Sequence, residues 1–134
     1  MPVLASRFFK IAIVFLILGI GMGLQMAMSG NHNVIGPHAH TNLLGWVTSA
    51  LFGTYYALNP AKAQTRLAGA HFWLWVVGLV LLTPALYLLY LGYAAIEPVT
   101  AIASLTLLAA ALVFAAVLFR SESASVPAAM RPAE

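Results

Sequence analysis

Apolar residues fill four long blocks of this chain, divided by short joints rich in polar residues, glycine and proline. A helix needs roughly 20 apolar residues to cross a hydrocarbon core of about 30 Å, and each block meets that length. The blocks predict helices near 8–28, 38–59, 69–92 and 95–119, which make residues 1–120 an all-α integral membrane domain with four transmembrane helices. The joints agree with this division. Pro37 suits the first turn of the second helix, where a missing amide costs nothing, and Asn59-Pro60 ends it. Pro84 falls mid-way along the third helix and is expected to kink it; Pro98 lies near the start of the fourth, where it is tolerated. Residues 121–134 are polar, contain proline and are expected to form a disordered tail.

The first block shares features with a signal peptide, since Arg7 and Lys10 precede it and the small residues Ala27 and Ser29 follow. Its apolar run of about 20 residues suits a span better than the short core of a signal, so it is expected to remain as the first helix.

Composition narrows the class further. Of 134 residues, 63% are hydrophobic and 7% charged, against roughly 25% charged in soluble domains, which points to a membrane protein. The net charge of +3 comes from Arg7, Lys10, Lys62, Arg66, Arg120 and Arg131 set against Glu97, Glu122 and Glu134. The basic residues form no cluster that could follow a phosphate backbone, so no nucleic-acid partner is expected. They do report topology, because short cytoplasmic loops retain Lys and Arg. Basic residues flank the start of helix 1, the joint between helices 2 and 3 and the end of helix 4, while loops 29–37 and 93–96 hold none. Both termini are therefore expected on the cytoplasmic side of the cytoplasmic (inner) membrane. The chain has no cysteine, which excludes disulfides, thiolate catalysis and iron–sulfur clusters and leaves histidine as the one strong nitrogen ligand.

Ionisable side chains at membrane depth usually mark function. His38 and His40 open the second helix, and His32 precedes them, all on the expected outer side; His71 lies at the opposite, cytoplasmic entrance of the third helix. Two residues apart on a helix are separated by about 200°, so His38 and His40 cannot chelate one ion together and would serve two sites flanking the helix. On the His38 side the helix continues through Asn42, Gly45, Ser49 and Gly53, small or polar residues that admit either another helix or a flat ring. His32 reads chiefly as a solvated loop residue and a weaker ligand candidate, and His71, beside Phe72 and Trp73, as an interfacial anchor. Met22, Met26 and Met28 offer thioethers but are commoner as filler in an apolar helix, as Gly19-Ile20-Gly21-Met22-Gly23 is commoner as a packing face. An outer copper site from His32, His38 and Met28 is an alternative.

The order His38-Ala39-His40-Thr41-Asn42-Leu43-Leu44-Gly45-Trp46, then Leu51-Phe52-Gly53-Thr54-Tyr55-Tyr56, Pro60 and Ala70-His71-Phe72-Trp73 resembles the catalytic subunit (subunit I) of haem-copper oxidases and nitric-oxide reductases, over residues 36–80. In that family twelve helices form three four-helix arcs, and metal-ligating histidines sit near the outer face. The resemblance implies a single arc that assembles as a twelve-helix homotrimer and binds haem b. It makes His38 the counterpart of a high-spin haem ligand and His40 that of a low-spin haem ligand, with Asn42, Gly45 and Trp46 as neighbouring cofactor contacts. Nothing matches the family's copper ligands, and no acidic residue lies within a span beyond Glu97 at the very start of the fourth, so the resemblance does not extend to reduction of oxygen by this chain alone. The expected task is electron transfer with an unidentified donor, or binding of a small gas such as oxygen or nitric oxide. The alternative is a cofactor-free scaffold or assembly factor for a respiratory complex.

Overall fold

A computed structural model describes residues 1–120, and the expected tail at 121–134 lies outside the described residues. The protein is all-α. Helix α1 covers Val3–Ser29, and a second helical run starts with α2 at Ile35–His40, continues as a π-helix at Thr41–Thr48 and ends as α3 at Ser49–Leu58. A single turn, α4 at Pro60–Ala63, leads to α5 at Arg66–Tyr90; a 3-10 turn at Ala94–Ile96 opens into α6 at Glu97–Phe119. Three of these, Val3–Ser29, Arg66–Tyr90 and the run Ala94–Phe119, are long and apolar enough to cross a membrane.

Local chemistry sets the boundaries. Gly30 ends α1 in the left-handed conformation at φ 66°, which glycine adopts without steric cost. The Thr65 hydroxyl caps α5 by accepting from the Ala68 amide at 3.2 Å. Pro98 occupies a first-turn position, as the sequence suggested, and Pro60, expected to end the second helix, also opens the short helix α4. Helix α2 starts two residues before Pro37, which still falls in the first turn. Helix α5 runs through Pro84 without interruption although the ring removes one amide from the ladder.

Two antiparallel hairpins make the bundle. In the first, small residues let α1 approach the second helical run closely: Asn42 lies on Gly19, the Phe15 ring covers Gly45, and Phe8 and Phe9 lie against Gly53. In the second, α5 meets α6 where Leu107 fills the space over Gly78. The hairpins join at both ends. At one end Phe8, Phe52, Tyr56, Phe72 and Trp75 form the packed core, with Phe114 against it and Phe8 perpendicular to Phe72 at 5.0 Å between ring centres. At the other, Tyr90 covers Gly36 and the Tyr87 hydroxyl bonds the Gln25 amide at 2.7 Å. Between these two junctions α1 and α5 stand apart around an apolar groove of about 620 Å³, lined by Phe15, Leu18, Met22, Val80, Thr83 and Pro84 among others.

The close approach over Gly45 gives a direct check. A Cβ there meets the Phe15 ring at 2.5 Å, whereas one at Gly21 meets nothing within 4 Å. Gly45→Val is expected to cost about 1–3 kcal/mol through overpacking, and Gly21→Val only a few tenths, in equilibrium unfolding from mixed micelles. Equal costs would contradict this packing.

Candidate functional site

The π-helix begins at Thr41, directly after the histidine pair. Such stretches are rare and concentrate at functional sites. Side chains match its wider turn: the Thr48 hydroxyl donates to the Leu43 carbonyl at 2.7 Å and the Ser49 hydroxyl to that of Leu44 at 3.3 Å, each five residues back. Ser49 also accepts from the Trp75 indole at 2.9 Å, which ties the segment to α5.

His38 and His40 sit in the last turn before this change and face different ways. His38 is half-buried against α1, with Nδ1 2.9 Å from the Gly19 carbonyl. His40 is exposed, with Nδ1 2.9 Å from the Gly36 carbonyl of its own helix. A carbonyl oxygen only accepts, so in both rings Nδ1 carries the proton and Nε2 presents its lone pair. Metal-ligating histidines have this arrangement, one nitrogen donating to a backbone carbonyl and the other free to coordinate. Asn42 supports His38 by donating from Nδ2 to the His38 carbonyl at 2.9 Å; its 3.4 Å approach to the protonated Nδ1 is proximity rather than a bond.

The other residues singled out in the sequence fall elsewhere. Gly45 lies under the Phe15 ring, so the protein itself fills that face. Trp46 is exposed on the same helical run. His32 is exposed in the 30–34 turn, where its carbonyl accepts from the Ile35 amide at 3.1 Å. Met22 accepts from the Thr41 hydroxyl at 3.8 Å, and Met28 is exposed. Among the described residues no group of three or more His, Asp or Glu side chains gathers where it could hold a metal ion.

His71 was expected as an interfacial anchor, but it is completely buried in the packed core at the other end of the bundle. Its ring is walled by Phe8, Phe52, Tyr56, Trp75 and Phe114. Nδ1 lies 2.9 Å from the Tyr56 hydroxyl, and Nε2 is the one buried side-chain nitrogen or oxygen without a partner among the described residues. Tyr56 is the donor here: if Nδ1 donated instead, the hydroxyl proton would be left unpaired as well as the Nε2 lone pair. The Nε2 proton is then directed at aromatic rings, and Phe52, perpendicular at 4.5 Å, is placed to receive it as a weak N–H···π contact. The sequence signal for this enclosure was the aromatic density around residues 52–56 and 71–75, but Phe8 and Phe114 come from distant parts of the chain. Comparisons with protein-family models, with curated proteins and with solved structures give no match.

His71→Phe leaves the Tyr56 hydroxyl buried without a partner, at a cost of about 1–3 kcal/mol. Adding Tyr56→Phe is expected to recover most of that loss in the same unfolding assay, and strictly additive costs would contradict the pairing.

Proposed function

We propose that this chain is a haem-b-binding protein of the cytoplasmic membrane, with four membrane-crossing segments and both termini in the cytoplasm, acting in electron transfer or in binding oxygen or nitric oxide. The observation that supports it most is the pair of imidazoles at one end of the second helical run, each with Nδ1 tied to a carbonyl and Nε2 available. Histidine so prepared is the usual protein ligand of haem iron, so His38 and His40 would hold the group, which would supply one-electron exchange or gas binding.

The run 35–58 is helical throughout, and this reading takes it as a fourth crossing beside the three long apolar helices. The distribution of basic residues supports the orientation, with Arg7, Lys10, Lys62, Arg66 and Arg120 all near one face and the histidine pair toward the other. His38 holds its lone pair beside α1, whereas His40 holds its own on the exposed side of the helix. The two therefore address different positions, and the exposed His40 is free to meet a neighbouring copy of the chain. This supports a homo-oligomer, for which the likeness to one arc of a three-arc subunit favours a trimer of twelve crossings.

The purified chain is expected to show a Soret absorption and an iron content without copper. His38→Ala and His40→Ala should each lose most of that absorption, while His71→Ala keeps it. A colourless, iron-free preparation of full stability overturns this reading in favour of a scaffold, and copper in place of iron would favour a site at His32 and His38.

A further inference from the structure

The contact between α1 and His38 depends on one residue in two ways. The Gly19 carbonyl takes the His38 Nδ1 proton at 2.9 Å. The missing side chain at Gly19 leaves the space that the Asn42 carboxamide occupies, since a Cβ there would lie 2.5 Å from both Nδ2 and Oδ1. Asn42 is fixed in that space by its bond to the His38 carbonyl at 2.9 Å. A methyl group at residue 19 thus pushes the Asn42 carboxamide out of its place and removes its bond to the His38 carbonyl, beside the bond that Nδ1 makes to Gly19.

The neighbouring glycines differ. A Cβ at Gly23 meets the edge of the imidazole, 3.2 Å from Cε1, while one at Gly21 meets nothing within 4 Å. His40 provides an internal comparison, because its Nδ1 bonds the carbonyl of Gly36 in its own helix and does not involve α1.

We infer that Gly19 is a positioning residue: its carbonyl holds His38 as the Nδ1–H tautomer and leaves Nε2 as the one nitrogen able to donate to iron. The iron belongs to the haem-binding reading on which this rests, whereas the tautomer does not depend on it. In a neutral imidazole one nitrogen is a donor and the other an acceptor. Without the Gly19 bond the ring exchanges tautomers and withdraws the Nε2 lone pair for part of the time. The same bond makes the ligand more basic, so its loss also changes the potential of a bound iron.

Imidazole 15N NMR of the full chain in lipid nanodiscs, without haem, reads the tautomer directly, with His38→Gln assigning the signals. The wild-type chain and Gly21→Ala are expected to show His38 protonated at Nδ1 alone. Gly19→Ala and Gly23→Ala should show a mixture of tautomers, with His40 unchanged throughout. After haem is added, the reduction potential should shift in Gly19→Ala and Gly23→Ala and stay at the wild-type value in Gly21→Ala. A wild-type His38 protonated at Nε2 overturns the inference, as do Gly19→Ala and Gly23→Ala chains that keep the wild-type tautomer. Should Gly19→Ala not fold, the wild-type spectrum and Gly23→Ala decide the matter. Haem that fails to bind a wild-type chain with the expected tautomer overturns the haem reading and leaves the role of Gly19 in place.

Discussion

The hydrogen bond from His38 Nδ1 to the Gly19 carbonyl at 2.9 Å joins the first helix to the second at the level of the histidine pair. It exists because two backbones come unusually close, and that approach requires small residues at Gly19, Gly45 and Gly53. A ring nitrogen packed against a neighbouring helix and away from water needs an internal acceptor. The carbonyl meets that need for one nitrogen of the ring and leaves the other with a lone pair.

The two ends of the bundle treat histidine in opposite ways. At the end with the 30–34 loop, both rings keep Nε2 out of the packed core. At the other end His71 is sealed among aromatic rings, accepts from Tyr56 and has its remaining nitrogen enclosed. The contrast separates rings that keep one nitrogen outside the packing from a ring that organises a core. An orphaned nitrogen alone is not a sign of chemistry when perpendicular aromatic faces surround it.

Three of the four expected spans were legible in the sequence because apolar length is a strong signal, whereas the expected span at 38–59 is a helical run divided by a π-helix and is not among the helices long and apolar enough to cross a membrane. The expected spans at 8–28, 69–92 and 95–119 correspond to Val3–Ser29, Arg66–Tyr90 and Glu97–Phe119, with boundaries moved by caps at Gly30 and Thr65 that periodicity does not weigh. The division of His38 and His40 between two sides of one helix followed from the spacing alone. Three features were not legible. The π-helix depends on Thr48 and Ser49 bonding carbonyls five residues back, a register that helical periodicity assumes away. The partner of His38 lies on another helix, so nothing local announces it. Burial of His71 requires Phe8 and Phe114, from the first and last helices, to converge on it.

The central claim is that imidazole nitrogens of the histidine pair hold an iron atom. Pulsed electron–nuclear spectroscopy of the oxidised, purified protein with 15N-labelled histidine tests it most directly. Hyperfine coupling from labelled histidine nitrogen to a ferric haem, absent when His38 and His40 are both replaced, is the predicted result. A ferric haem signal with no histidine coupling, or coupling that survives the double replacement, would contradict the account.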